Sequence, residues 1–160
     1  MTDATSDPDL QAFGGALPGF LHVDHVAIAV PRGTLDAQVA AWRLLGFEEY
    51  HRETAQGADR VREAMLRIGA SPNRIQLLEP LDEQSTVQKA IDRNGGKGGL
   101  HHVAFRVKDA RAAYADLQAK GFRLIDKAPR PGSEGTTVFF VHPKSRADTA
   151  FDVLIEVVQQ

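Results

Sequence analysis

The chain has 160 residues, of which 42% are hydrophobic and 25% charged. That is the make-up of an ordinary soluble globular protein, with room for one domain or two small modules. A net charge of −2 with no long run of one sign excludes bulk attraction to nucleic acid or to an anionic membrane. There is no cysteine, so disulfides and thiolate metal sites are excluded, and no stretch is long and apolar enough to span a bilayer. The acidic start, Met1–Asp9, lacks the basic head and apolar run of a signal peptide, and a cytoplasmic protein is expected.

Residues 1–20 are rich in Asp, Gly, Pro and Ala without periodicity and are expected to form a flexible tail. Leu21–Val30 alternates, with Val26, Ile28 and Val30 on one face and His25, Ala27 and Ala29 on the other. That predicts a strand with one bulky and one small face. Pro31 and Gly33 end it, and Thr34 is expected to cap a helix carrying Leu35, Val39 and Trp42 and closed by Gly46. Strands are expected at Phe47–Thr54, Val61–Ile68 and Arg74–Glu79, with a loop at Ala55–Asp59 and a stop at Pro80. Ser85–Asn94 reads as a short helix capped by Ser85, and Gly95–Gly99 as a flexible link. Leu100–Val107 alternates again, placing His102 in phase with Ala104 and Arg106, and His101 with Val103, Phe105 and Val107. If the bulky face packs on the core, His102 looks into something open, and His101 is a structural neighbour. A helix over Asp109–Lys120, a strand from Phe122, a turn-rich Pro129–Gly135, and strands at Thr136–Val141 and Phe151–Val158 complete the chain.

This order repeats. His25–Val30 matches His102–Val107 at an offset of 77, and Leu35, Val39 and Trp42 match Ala110, Tyr114 and Leu117 at 75. Gly46-Phe47 matches Gly121-Phe122 at 75, and Ile75–Leu78 lies over Ile155–Val158 at 80. Each half reads strand, helix, then three strands. The fold class is therefore α+β, two tandem βαβββ modules at about 21–80 and 99–159 with a linker helix at about 85–94, within one domain spanning 21–160.

A pseudo-twofold pair of modules brings equivalent residues around one axis, so His25 pairs with His102 and Gln76 with Glu156. Two imidazoles, an amide oxygen and a carboxylate suit a divalent ion of the Zn, Co, Ni, Mn or Fe group. A single strand histidine is more often a hydrogen-bonded structural residue, but two at repeat-equivalent positions favour the metal. Gln76 alone would read as a polar residue on an open face. Glu156, inside the apolar run Leu154–Val158, carries a desolvation cost unless it is paired or metal-bound. Glu63, beside Arg62 and near Arg67, reads from pattern alone as part of a solvated surface pair.

Several phrases carry a resemblance: Asp24–Ala27, Val61–Leu66, Ile75–Pro80, Leu100–Phe105, Phe140–Lys144 and Leu154–Glu156. On these the chain resembles the vicinal oxygen chelate superfamily and, within it, the methylmalonyl-CoA epimerase family, over roughly Leu21–Val158. The resemblance implies an open, eight-stranded barrel-like sheet around a metal site, with the helices outside. It implies His25, Gln76, His102 and Glu156 as ligands of a divalent ion and a homodimer as the assembly. It re-reads Glu63 as one of two catalytic carboxylates, the other being Glu156. The implied activity interconverts (2R)- and (2S)-methylmalonyl-CoA, or a related acyl-CoA thioester, by proton transfer on opposite faces of C2 through a metal-stabilised enolate. Lys97, Arg130 and Lys144 are candidate contacts for coenzyme A. The alternatives are a glyoxalase I-type lactoylglutathione lyase and a metal-free, antibiotic-sequestering protein of the same fold.

Overall fold

The structure, a computed structural model, describes residues 16–57, 59–144 and 150–160. Most of the expected tail, Ala58 in the loop after the second strand, and residues 145–149 of the polar loop therefore lie outside the described residues. The elements in order are β1 (Phe20–Ala29), α1 (Leu35–Arg43), β2 (Glu48–Ala55), β3 (Val61–Arg67), β4 (Arg74–Pro80), α2 (Thr86–Arg93), β5 (Gly99–Val107), α3 (Ala110–Ala119), β6 (Arg130–Pro131), β7 (Thr137–Val141) and β8 (Leu154–Gln159). The α+β class stands as expected, and among the described residues the sheet has eight strands, but the sixth, β6, lies within the segment expected to be turn-rich and not at Phe122. Among the described residues no helix is long and apolar enough to cross a membrane.

The chain divides into two compact units, Asp24–Ala104 and the remainder, the cuts falling inside β1 and β5. In the Asp24–Ala104 unit the strands run in the order β2-β3-β4-β1-β5. β1 pairs with β4 in parallel, and β3 pairs with β2 and β4 antiparallel. A parallel neighbour needs a long crossover, which α1 and the β2–β3 hairpin supply.

Alternation sends the side chains of these strands to two faces, and both faces are covered. Under α1, Val30, Leu35, Val39, Ala64, Leu66 and Leu77 form one buried cluster, with Ile28 and Trp42 against it. On the other face Ala27, Ala29, Val61 and Leu78 pack with Val87 and Ile91 of α2. The small face of β1 is thus not open along its length, because the linker helix closes it and leaves Ala27 wholly buried. The chain also passes close to the end of β1 at Gly98. A Cβ on Gly98 would lie 2.3 Å from the carbonyl oxygen of Ala29, so only glycine lets the chain pass at that point.

The caps show where local reading works and where it fails. Ser85 accepts from the Val87 amide (3.2 Å) at the start of α2, as its position predicts. Thr34 does not cap α1: its hydroxyl donates to the Pro31 carbonyl (2.6 Å) instead. The first helical amide, that of Leu35, donates to the Glu79 carboxylate (2.8 Å), brought in from β4. A carboxylate at a helix N-terminus meets both an orphan N–H and the positive end of the helix dipole.

In the other unit the strands run β8-β7-β6, with antiparallel pairing of β7 to both neighbours. α3, capped by Asp109 at the Arg111 and Ala112 amides, packs Ala110 and Ala113 against Val107, Phe139, Val141 and Val157. The strand expected from Phe122 is reduced to one bridge, Leu124 to Val141. The reason lies two residues on, where the Asp126 side chain, not a backbone carbonyl, accepts from the Phe140 amide (2.7 Å) and so ends the ladder.

Candidate active site

The register of β1, β3 and β4 decides which polar side chains share a face. Gln76 stands opposite Ala27 in the parallel pair and opposite Met65 in the antiparallel one, while Glu63 stands opposite Leu78. Glu63 and Gln76 are therefore diagonal neighbours on one face, within reach of long side chains. The Gln76 Nε2 donates to the Glu63 Oε2 (3.0 Å). That contact fixes the amide's orientation, since a carbonyl oxygen turned toward a carboxylate would repel it. Among the described residues it leaves the Gln76 Oε1 buried without a hydrogen-bond partner, a state that costs about 1–3 kcal/mol unless something takes the lone pairs.

Glu63 is 2% exposed, so the pattern-based expectation of a solvated surface pair is corrected. Its neighbours mislead because they leave in other directions. Arg62 pairs with Glu79 on the opposite face (2.7 Å), and Arg67, at the strand end, lies over the Tyr50 ring.

The two histidines meet. His25 and His102 are 5% and 4% exposed, and their Nε2 atoms are 3.2 Å apart with the rings edge to face. Two neutral imidazoles cannot both present lone pairs at that distance without a proton or a cation between them. On its other side the His25 Nδ1 lies 2.7 Å from the Asp24 Oδ2. Asp24, itself 1% exposed, accepts from the Arg74 Nη2 at both oxygens (2.8 Å each), and the Arg74 Nη1 donates to the Tyr50 hydroxyl (2.6 Å). Burial alone would lower the Arg74 pKa, but the hydrogen bond to Tyr50 and the charge of Asp24 hold it above its ordinary value. The His102 Nδ1 lies 2.8 Å from the His101 Nδ1. His101, expected as a structural neighbour facing the helix side, is thus in contact with the His102 ring.

Glu156 lies on β8 in the other unit, opposite Phe140 of β7, and is 8% exposed. Of the three cations proposed for coenzyme A, Arg130 is engaged by Asp126 (2.7 Å) and lies over the Phe140 ring.

Sequence reasoning gave no role to Asp24, Arg74, His51 or Glu53. His51 bonds to Glu53 (2.7 Å), and with Glu63 they present ligand atoms within 4.8 Å of one another. The signal for Glu53 is its register, directly opposite Glu63 on the adjacent strand.

The buried N and O donors suit a borderline divalent ion. The paired imidazole nitrogens and the partnerless amide oxygen are the observations that make the fit. A family model described as the glyoxalase/bleomycin resistance protein/dioxygenase superfamily matches residues 24–140. An ethylmalonyl-CoA/methylmalonyl-CoA epimerase of Cereibacter sphaeroides is 35% identical over 126 residues, 76% of this chain and 88% of that protein. The chain belongs to the methylmalonyl-CoA epimerase family of this superfamily. It is similar to the crystal structure of methylmalonyl-CoA epimerase from Mycobacterium tuberculosis, with a TM-score of 0.80, 35% identity, and 90% and 91% of the two chains covered. It is also similar to a methylmalonyl-CoA epimerase in complex with methylmalonyl-CoA and NH4+, with a TM-score of 0.78, 39% identity, and 88% and 95% covered. As a member of this family the chain is an enzyme of the epimerase class.

Proposed function

We propose that this enzyme inverts C2 of methylmalonyl-CoA or a closely similar 2-carboxyacyl-CoA thioester, using a divalent ion held by His25, Gln76, His102 and Glu156. The observation that carries the reading is the buried pair of Nε2 atoms, 3.2 Å apart, on the same sheet as a buried Gln76 oxygen that has no hydrogen-bond partner among the described residues. When bound, the ion supplies Lewis acidity that stabilises negative charge on the thioester and carboxylate oxygens of the substrate.

The protein's own groups do the rest. Inversion needs a proton to leave C2 on one face and another to arrive on the opposite face. Glu63 takes or returns the proton on one side, and Glu156 serves the other, so the same pair runs the reaction in both directions. The Gln76 amide hydrogen bond holds the Glu63 carboxylate in one rotamer, and burial keeps bulk water from it. The amide is neutral, so Gln76 contributes an oxygen donor without adding a second carboxylate to offset the ion's charge. That leaves more of the charge available to the substrate than a glutamate would.

The test is to incubate the protein, purified without chelator, with a single C2 epimer and follow the approach to a 1:1 mixture. Inversion that stops on chelation and returns with Co2+ or Mn2+ supports the reading. Isomerisation of the glutathione hemithioacetal of methylglyoxal with no action on the acyl-CoA would make the chain a glyoxalase instead. Ligand binding without metal or turnover would make it a sequestering protein.

A further inference from the structure

Each histidine of the buried pair is in contact with the residue directly before it in the chain. Asp24 contacts His25 and His101 contacts His102. The internal repeat relates the two neighbours by the same offset of 77 that relates the two histidines. We propose that Asp24 and His101 are equivalent positioning residues that set the tautomer and ring orientation of His25 and His102 as metal ligands. Asp24, clamped by Arg74, is the stronger of the two. The inference rests on the ligand assignment proposed above and adds what makes those rings competent.

The chemistry follows from what each neighbour can accept. An ionised carboxylate only accepts, so the His25 Nδ1 carries the proton and donates to Asp24, and the His25 Nε2 presents a lone pair. Asp24 cannot swing away, because Arg74 holds both of its oxygens and is itself held by Tyr50. A carboxylate on the far nitrogen also makes an imidazole a more basic ligand. His101 is ambivalent, since an imidazole either donates or accepts. For the His102 Nε2 to present a lone pair, the His102 Nδ1 must donate, and the His101 Nδ1 must accept. One ligand is therefore locked by a charge and the other by a neutral ring that can exchange roles. Removing the first weakens metal binding more than removing the second.

The test measures metal affinity by competition with a chromophoric chelator, the absorption bands of the Co2+ form, and the histidine tautomers in the Zn2+ form. Asp24→Asn is expected to lose about 10–100-fold in affinity and to shift the Co2+ bands. His101→Phe, which offers no acceptor, is expected to lose about 10-fold, and His101→Gln, whose amide oxygen accepts, to recover most of it. Because Asp24→Asn leaves Arg74 without its charge partner and can fail to fold, the tautomers of the unmutated protein are read as well. Long-range 1H–15N correlations should show His25 and His102 both protonated at Nδ1. Protonation of either ring at Nε2 in the metal-loaded protein overturns the proposal. So do folded Asp24→Asn and His101→Phe proteins with affinities within twofold of the parent and unchanged Co2+ bands. If the parent binds no divalent ion, the ligand assignment itself falls. If the parent epimerises with bound metal and the variants keep its affinity, only this inference does.

Discussion

Replacing Glu79 should destabilise the fold by more than its position at the end of a strand suggests. The carboxylate is 4% exposed and has two duties on one face of β4. One oxygen accepts from the Leu35 amide at 2.8 Å, the first amide of α1, and the other takes Arg62 through Nε (2.9 Å) and Nη2 (2.7 Å). Losing an N-terminal cap costs about 0.5–2 kcal/mol, and here the amide left behind belongs to a fully buried residue. The ion pair adds at most about 1 kcal/mol, because the Arg62 side chain is 38% exposed and rehydrates when its partner goes. Glu79→Ala is therefore expected to cost about 2–3 kcal/mol, and Glu79→Gln, which keeps a neutral acceptor, about 1 kcal/mol. Thr34→Ala is the control. Thr34 occupies the cap position but its hydroxyl bonds elsewhere, so its loss should cost less than about 1 kcal/mol. Urea unfolding followed by circular dichroism reads all three. If Thr34→Ala costs more than Glu79→Ala, the cap has been placed on the wrong residue.

Other outcomes are expected from the same geometry. Gly98→Ala should lower stability by about 1–3 kcal/mol, since the added Cβ meets the Ala29 carbonyl, and thermal melting will show whether the backbone yields instead. Asp109→Ala should cost about 1 kcal/mol through loss of the α3 cap, read from the urea midpoint. Chelation should lower the melting temperature. At free metal 100-fold above Kd the ion contributes about 2.7 kcal/mol, and a melt unchanged by chelator would mean that the purified protein held none.

What the sequence disclosed and what it concealed divide along physical lines. The strand phase of His25 and His102 was legible because alternation is local and the repeat supplied a second copy of it. Burial of Glu63 was not legible, because Arg62 and Arg67 lie beside it in sequence while their guanidinium groups go to Glu79 and Tyr50. Position in the sequence puts the α1 cap at Thr34, whose side chain does not serve it. The group that serves, Glu79, is 44 residues from the Leu35 amide it meets and reachable only once β4 is in place. Arg74 is 50 residues from Asp24, and their pairing depends on a parallel register that no local pattern encodes. Short-range rules found the elements and the histidines. Glu79 and Arg74, by contrast, reach Leu35 and Asp24 only through pairings between distant strands.

Deuterium incorporation at C2 of methylmalonyl-CoA in D2O, followed by NMR together with inversion of a single epimer, tests the two-carboxylate account most directly. The parent enzyme should both exchange and invert. Glu63→Gln should lose inversion by about 10²–10⁴-fold, because one face of C2 then has no base. If Glu63→Gln still inverts C2 at the parent rate, Glu63 is not one of the two bases and the account is wrong.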